Sequence, residues 1–350
     1  MFLNRIGRAI AMFAIAMTLF FGTSIPSVLA AEPSTEAIVV DNYIRAESDR
    51  VFKLRYDRGE FGKLALQDFV GVDNQPLEIP NRDLLHYWGV FDLTTPVTIT
   101  LPEQNERFQE IRIVNEDHYI VEDTTVPGEY RLTEAEVGTR YVQVDVRTFI
   151  NPDDEADVEA ARAIEARVTF TQEDPGSLEL PNWNWEELEQ LRAATQDLIP
   201  FVPDNNGVYG SKEEVDEIRH FIGTAGAWGG GPPEAAIYLN VTPEKNDGET
   251  PHILTVKDVP VDGFWSISVY NADGFFERNP YNSYSSSNVS ATQKADGSFT
   301  FYFAKDKAGL TNDENYLYTP EGWKYVVRLY LPRQEILDGT WHFPKAEPIE

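Results

Sequence analysis

The stretch 264–270 constrains the fold of this chain more than any other part of the sequence. Its side chains alternate between two faces, and this period of two is typical of a half-buried β-strand. The Asp-Gly pair at 273–274 follows and supplies the positive φ angle that a tight turn requires. Trp265 shares one face with Ile267 and Val269, which suits the core of a two-sheet sandwich. The sequence therefore predicts that Trp265 is a core residue.

Other short strands are predicted on both sides of this one, separated by turn signals. Their bounds are 84–93, 96–102, 108–114 and 141–149 in the first half of the chain, and 236–241, 253–256, 299–303 and 323–330 in the second half. Such spacing is typical of antiparallel sandwiches. We expect a helix from Ser34 to Gly59 and a small sandwich within residues 31–150, and a two-sheet sandwich or jelly roll within residues 224–350.

The segment 151–223 carries signals for helices rather than strands. Asn151, followed by proline, is typical of a helix start, and Asn184 can cap the helix that follows it. Ser211 and Glu214 have the spacing of a capping box. The predicted fold class is therefore mainly β with helical segments, in which a helical insert connects two sandwiches.

Residues 1–30 have the pattern of a secretory signal sequence. Arg5 and Arg8 form a basic start, residues 9–21 are apolar, and small residues stand at the end. We expect cleavage after Ala30 and a periplasmic or secreted location. The alternative is an uncleaved membrane anchor, although the apolar run is short for a membrane span.

Charge and cysteine content exclude several classes of function. The chain has 58 acidic and 29 basic residues, so its net charge of −29 repels nucleic acids and anionic membrane surfaces. Because it contains no cysteine, it has no disulfide, no thiolate chemistry and no cysteine-held zinc. We expect no nucleic-acid partner and no stable membrane anchor, while a small-molecule ligand and an oligomer stay open.

Residues 115–119, Asn-Glu-Asp-His-Tyr, are the strongest candidates for chemistry, because they follow a predicted strand. In an extended chain, Glu116 and His118 would share one face and could bind a metal or act as acid and base. We therefore nominate Glu116, Asp117 and His118 as catalytic candidates. The alternative is a solvated turn whose carboxylates cap nearby amides. The histidines are otherwise scattered, so the sequence specifies neither a metal nor another cofactor.

Residues 81–83, Asn-Arg-Asp, form a second polar cluster next to a predicted strand. Arg82 could clamp a carboxylate of a ligand or pair with an acidic residue of the chain. The ligand-binding candidates are Arg82, Asp83, His86 and Tyr119.

We expect the two clusters to meet at one end of the first sandwich. Arg82 would then offset the charge of Glu116 and Asp117 and would lie within roughly 8 Å of His118. This requires the chain between them to bend or to cross sheets, since successive antiparallel strands reverse direction. Arg328, on a predicted strand, is a further candidate, because a buried charge needs an acidic partner or a cavity.

Two sets of longer motifs carry a family resemblance. In the second half they lie at 227–230, 259–270, 279–280, 296–298, 327–330 and 336–341, and in the first half at 81–83, 90–93, 97–102 and 114–119. The second half resembles domain-of-unknown-function family 1214, and the first half resembles the companion family 1254. The resemblance implies an immunoglobulin-like sandwich, a helical segment and a jelly roll, and it implies no settled activity. At 84–87 this chain has Leu-Leu-His-Tyr where the family often has Thr-Leu-Tyr-Ser, so a role of those hydroxyl groups would be altered here.

Three functions stay open. The first is binding of a small apolar or carbohydrate-like ligand in a cleft between the sandwiches, since aromatic residues make up 12% of the chain and no complete catalytic set is present. The second is a hydrolase or lyase that uses Glu116, Asp117 and His118, with or without a divalent metal. The third is a structural envelope protein that assembles through sheet edges.

Overall fold

The first half of the chain folds into a sandwich of two β-sheets. The computed structural model describes residues 35–349 except 76, 104–106, 309 and 311–314. The predicted signal sequence and Ser34 lie outside the described residues. The strands of this sandwich are β1 (Ala65–Gln67), β2 (Leu84–Asp92), β3 (Val97–Leu101), β4 (Gln109–Asn115), β5 (Ile120–Thr124), β6 (Gly128–Leu132), β7 (Tyr141–Phe149) and β8 (Thr169–Gln172). One sheet has the order β1-β2-β7-β4-β5 and the other has the order β6-β3-β8.

Alternate residues of these strands form the core between the two sheets. Val142, Val144 and Val146 of β7 and Ile111 and Ile113 of β4 are fully buried there. The bounds of β2, β3, β4 and β7 match the predicted strands to within one residue. The sequence does not predict the short strands β1, β5, β6 and β8. Strand β8 lies in the segment expected to be helical and pairs with β3 of the first sandwich.

The helices connect the sandwiches and cover one side of the first. They are α1 (Tyr43–Asp57), α2 (Glu134–Val137), α3 (Glu155–Glu165), α4 (Trp185–Gln196), α5 (Glu217–Gly226) and α6 (Gln334–Leu337). Helices α1, α4 and α5 pack together through a cluster that includes Tyr43 and Leu188. Asn184 caps α4 as predicted, because its side chain accepts a hydrogen bond from the N–H of Glu187. No helix among the described residues has the length and apolar character needed to cross a membrane.

Three helix starts differ from the prediction. Helix α1 begins at Tyr43, well after the expected start. Helix α3 begins after Asp154 and α5 begins after Asp216, and each aspartate accepts hydrogen bonds from two N–H groups of the first turn. Ser211 and Glu214 instead close a separate turn. Several side chains that could accept hydrogen bonds from the first turn lie close together at these helix starts. The sequence pattern alone therefore does not identify the residue that caps the helix.

The second half also folds into a sandwich of two sheets. Its strands are β9 (Ala236–Val241), β10 (His252–Lys257), β11 (Trp265–Tyr270), β12 (Ser285–Ser287), β13 (Ser298–Ala304), β14 (Tyr316–Tyr318), β15 (Lys324–Tyr330) and β16 (Glu347–Pro348). One sheet has the order β14-β13-β10-β16 and the other has the order β12-β11-β15-β9. Neighbouring strands are antiparallel except β13 and β14, which are parallel. The molecule is therefore mainly β, with two sandwiches and helical connections, as predicted.

Trp265 is a core residue, as predicted. It is 3% exposed and packs against the rings of Phe299, Phe301 and Phe343. The expectation that β11 is only half buried is wrong, because all six of its residues are buried. Its second face is covered by the first half of the chain.

A buried group of hydrogen-bonded residues, here called the Arg328 joint, connects the two halves. It consists of Arg328, Ser266, Ser268 and Tyr270 from the second half and Ile79, Pro80 and Asp83 from the first half. Arg328 donates to the carbonyl oxygens of Ile79 and Pro80 at 3.1 and 3.2 Å. Ser266 donates to the carboxylate of Asp83 at 2.5 Å. The direct acceptors of Arg328 are neutral oxygens, while the nearby Asp83 helps to raise its pKa against the effect of burial. The chain from residue 36 onward forms one compact unit.

We expect Arg328→Met to lower the free energy of unfolding by about 3–5 kcal/mol, because two buried carbonyl groups lose their donor and Asp83 loses its nearby cation. Arg333→Met is the matched control, since Arg333 is 53% exposed and pairs with the exposed Asp262. Its expected loss is below about 1 kcal/mol. Urea unfolding followed by tryptophan fluorescence measures both variants, and equal losses would contradict a structural role for the joint.

Candidate functional site

A cleft of about 780 Å³ lies between the two halves of the molecule. We call it the Arg82 cleft. The first half contributes Val72, Asp73, Arg82, Asn151 and Asp153, and the second half contributes residues 278, 281–286, 290, 292, 307, 315 and 316. Its volume is within the range of small-molecule sites, and such sites often lie where two structural units meet.

Arg82 is a buried cation in the wall of this cleft, with only 5% of its surface exposed. Its Nη2 donates to Asp153 at 3.3 Å, while Nε and Nη1 have no hydrogen-bond partner among the described residues. The rings of Phe69, Phe276 and Tyr284 lie 5.9, 5.6 and 5.1 Å from the guanidinium carbon. Unpaired donors of a buried charged group are costly. Arg82 therefore has hydrogen-bonding capacity that no described residue uses.

Hydroxyl and aromatic groups make up much of the second wall. Ser285 and Ser286 of β12 are half buried there. Tyr281 is 38% exposed, and its ring meets the ring of Tyr316 edge-on at 5.1 Å. The ammonium group of Lys307 lies 5.8 and 5.2 Å from the centres of these two rings. Polar groups beside an exposed ring suit a ligand that carries several hydroxyl groups.

A second cavity, of about 600 Å³, also lies between the halves and has a more apolar lining. Phe264 packs there against Phe108 and Phe149 at ring distances of 5.3 and 4.5 Å. The guanidinium of Arg107 is already bonded to Asp157 and to a backbone carbonyl. This cavity suits the apolar ligand that the sequence leaves open.

The other three ligand-binding candidates lie outside the Arg82 cleft. Asp83 is buried in the Arg328 joint, where burial raises its pKa. The Nδ1 of His86 lies 3.1 Å from a carboxylate oxygen of Asp145. Tyr119 stacks on His220 with ring centres 5.0 Å apart. The structure thus separates residues that the sequence grouped by polarity alone.

The two sequence clusters lie at opposite ends of the five-stranded sheet, so the expected shared site is wrong. Leu84, at the start of β2, pairs with Phe149, whereas Asn115, at the end of β4, pairs with Val142. These partners are seven residues apart on β7, a distance of about 23 Å. Strands β2 and β4 both run antiparallel to β7 and hence parallel to each other. The start of one and the end of the other therefore cannot meet.

Glu116 and Asp117 contact Arg45 of α1. The guanidinium of Arg45 lies 2.5 Å from Asp117 and 3.8 Å from Glu116. Glu116 also adjoins Asp49 of α1, and the two buried carboxyl groups line a cavity of about 350 Å³. Burial raises the pKa of Asp49 to about 7 and also raises the pKa of Glu116. Such a pair can retain a proton near neutral pH. The sequence does not nominate Asp49, because it belongs to a helix much earlier in the chain.

His118 is a buried structural residue. Its Nε2 accepts a hydrogen bond from the N–H of Gly229, and its Nδ1 is bonded to the hydroxyl group of Thr224, both at 2.8 Å. Its ring stacks on the rings of Trp228 and His220. Burial lowers its pKa well below the usual value, so the ring stays neutral. The extended-chain prediction fails because His118 has a φ of +62° in a turn, and its ring bonds to Thr224 and Gly229.

Sequence reasoning finds few of the residues that form the cleft. Asp153, Tyr281 and Ser285 come from separate loops and strands, and their only signal is a polarity that most surface residues share. Within the described parts of the chain, no three histidine, cysteine or carboxylate side chains are grouped so that they could hold a metal ion.

Part of the second half matches a known family. Residues 236–334 match the family described as Protein of unknown function (DUF1214). This confirms the resemblance of the second half to family 1214, and the match includes most of the second wall of the cleft. The resemblance of the first half to family 1254 stays a prediction.

The fold is similar to that of solved structures. The crystal structure of the VPA0106 protein from Vibrio parahaemolyticus has a TM-score of 0.68 and 16% identity, over 89% of this chain and 98% of that chain. An uncharacterized protein from Burkholderia cenocepacia has a TM-score of 0.49 and 11% identity, over 89% of this chain and 88% of that chain. No curated protein matches the chain. The first of these similarities shows that the fold recurs and carries no information about activity.

We expect the stability of the protein to depend on the ionisation of Asp49. Burial raises its pKa from the ordinary value of 3.8 to about 7, so between these values the folded protein binds a proton that the unfolded chain has released. The free energy of unfolding should fall as the pH rises from about 4 to 7. Because asparagine cannot ionise, the free energy of unfolding of Asp49→Asn should decrease less over this pH range.

Urea unfolding at a series of pH values measures the effect. Asp41→Asn is the control, since Asp41 is exposed, and its pH profile should follow that of the unaltered protein. If the stability difference between Asp49→Asn and the unaltered protein is the same at pH 4 and pH 7, the raised pKa is refuted.

Proposed function

We propose that this protein binds a small, polar, carbohydrate-like ligand in the Arg82 cleft. The observation that carries the proposal is a buried arginine with unpaired donors in the wall of a large cleft. Serine, asparagine and tyrosine side chains surround it, and they can exchange hydrogen bonds with ligand hydroxyl groups. The exposed ring of Tyr281 offers an apolar face for the ring of a sugar.

The polar lining distinguishes between the two ligand classes that the sequence leaves open. A fully apolar ligand would leave the buried donors of Arg82 without acceptors, which is unfavourable. The second cavity, with its three phenylalanine rings, would be the better place for an apolar ligand. The two cavities thus correspond to two alternatives that one experiment can separate.

Ser285→Trp is the variant that tests the cleft. Ser285 pairs with Ser268 and lines the cleft, so a tryptophan there should fill part of the volume and weaken ligand binding at least about tenfold. Val289→Trp is the matched control, since Val289 is 60% exposed and lines the second cavity. Thermal shift with a panel of monosaccharides and disaccharides, followed by calorimetry, gives the affinities.

The two variants give opposite results for the two cavities. Loss of binding in Ser285→Trp with normal binding in Val289→Trp supports the cleft. The reverse result places the ligand in the second cavity and overturns the proposal. Failure of every sugar to raise the melting temperature of the unaltered protein would also count against it.

We also propose that the protein is exported. The basic start, the short apolar run and the small residues before Ala31 support this. Material purified from cells that express the full chain should have the mass of a protein that begins at Ala31. An intact mass that includes residues 1–30 would refute the processing, and fractionation of the cells would distinguish a periplasmic from a secreted location.

The first half is proposed to belong to family 1254, on the motifs at 81–83 and 114–119. A solved structure of a family 1254 member would test this assignment. A member without the order β1-β2-β7-β4-β5 in its larger sheet would argue against it.

A second candidate function is acid–base catalysis at the pair formed by Asp49 and Glu116. The observation that favours it is the raised pKa of both carboxyl groups beside a cavity that Arg45 and Arg140 also line. In this form the hydrolase or lyase no longer depends on His118. Turnover of a ligand that is lost in Glu116→Gln while binding persists would favour this candidate over simple binding.

A further inference from the structure

We propose that the ligand of the Arg82 cleft is an acidic sugar, whose carboxylate or phosphate group binds Arg82. This inference rests on the proposed function of the cleft and adds the charge of the ligand to it.

The donors of Arg82 require an acceptor that the described residues do not provide. Among the described residues, Nε and Nη1 are buried without a partner, and the one bond of Nη2 is long at 3.3 Å. Phe69 and Phe276 flank the guanidinium and carry no acceptor. The oxygens of an anion form stronger hydrogen bonds with a guanidinium than hydroxyl oxygens do. An anionic group would therefore gain more from this position than a neutral one.

The charge of the cleft differs from the charge of the chain. The whole sequence has twice as many acidic as basic residues, 58 against 29. Among the described residues, the cleft wall has three basic residues, Arg82, Arg278 and Lys307, and two acidic ones, Asp73 and Asp153. Arg278 pairs with Asp73 at the exposed edge. The acidic neighbours of Arg82 are Asp153, which accepts its hydrogen bond, and the buried Asp83, which Arg328 also neighbours. The side chain of Asp153 is 44% exposed, which weakens its effect on Arg82.

The remainder of the wall selects a sugar rather than a simple anion. Ser285 and Ser286 provide hydroxyl groups in the second wall, and Tyr281 provides an exposed ring. A cleft of about 780 Å³ is much larger than one carboxylate or phosphate group and has room for a sugar ring with waters around it. An acidic monosaccharide combines the anion that Arg82 needs with the hydroxyl groups that the wall can bind.

The test uses matched sugars that differ at C6, where the acidic members carry a carboxylate or a phosphate group. Calorimetry at low salt compares glucose with glucuronate and glucose 6-phosphate, and galactose with galacturonate and galactose 6-phosphate. In at least one series the acidic member should bind about tenfold or more tightly than the neutral member. A preference for the uronate identifies a carboxylate ligand, and a preference for the sugar phosphate identifies a phosphorylated one.

Two variants should change the affinity for the acidic sugar in opposite directions and so test the role of Arg82. Arg82→Gln should abolish the preference for the acidic sugar, so that the acidic and neutral members of a series bind with affinities within about threefold of each other. Asp153→Asn should strengthen binding of the acidic sugar severalfold, because it removes the competing carboxylate. This second variant keeps the test valid if Arg82→Gln does not fold.

The outcomes separate this inference from the function on which it rests. Equal affinity for the neutral and acidic members overturns the acidic ligand and leaves the sugar-binding cleft in place. A preference that Arg82→Gln retains, or that Asp153→Asn does not increase, also overturns the role given to Arg82. Failure of every neutral and acidic sugar to bind overturns both proposals.

Discussion

The Arg328 joint is the interaction on which the rest of the structure depends. A buried guanidinium requires acceptors for its N–H groups, and Arg328 finds two of them in the carbonyl groups of Ile79 and Pro80. These bonds hold Ile79 at a φ of +53°, which is unusual for a β-branched residue. Because Arg82 follows two residues after Pro80, the joint also positions the basic group of the cleft. One set of hydrogen bonds therefore connects the two sandwiches and shapes the candidate site between them.

The buried ionisable groups of this acidic chain differ in how far nearby charges offset the cost of burying them. Burial alone would raise the pKa of Glu110, but Arg147 and Arg112 outweigh it and lower the pKa to about 2. For Asp49 the cost of burial dominates, and its pKa rises. Arg82 has two acidic neighbours, Asp153 and Asp83, and two donors that no described residue uses. A buried charge whose burial cost is offset by partner charges, such as Glu110, has a structural role here. A buried ionisable group whose burial cost is offset only in part and that lies beside a cavity is typical of functional sites. For this reason the Arg82 cleft and the carboxyl pair are the two candidate sites.

The long strands could be predicted from the sequence because their signal is local. In β7, three inward-facing valines alternate with polar residues, and the predicted bounds agree with the structure. Short strands such as β8, with four residues, contain too few alternations to be recognised, and they form because a neighbouring strand offers unpaired hydrogen-bonding groups. Strand β11 reads as half buried, although the structure buries both of its faces. Its serines suggest an exposed face, but Ser266 bonds to Asp83 and Ser268 bonds to Arg328 inside the molecule. The sequence of the strand does not reveal these distant partners.

The sequence by itself determined the fold class, the main strands and the core position of Trp265. These features follow from side-chain period, turn residues and motifs that lie within a few neighbouring residues. Only the tertiary structure decided that Arg82 lies far from His118, since the sequence of a single strand does not determine the order of strands in the sheet. Likewise, only the tertiary structure placed Asp153 and Tyr281 in the wall around Arg82 and brought Asp49 to Glu116. A binding site depends on distances between side chains that are remote in sequence, and those distances are set by the packing of the whole molecule.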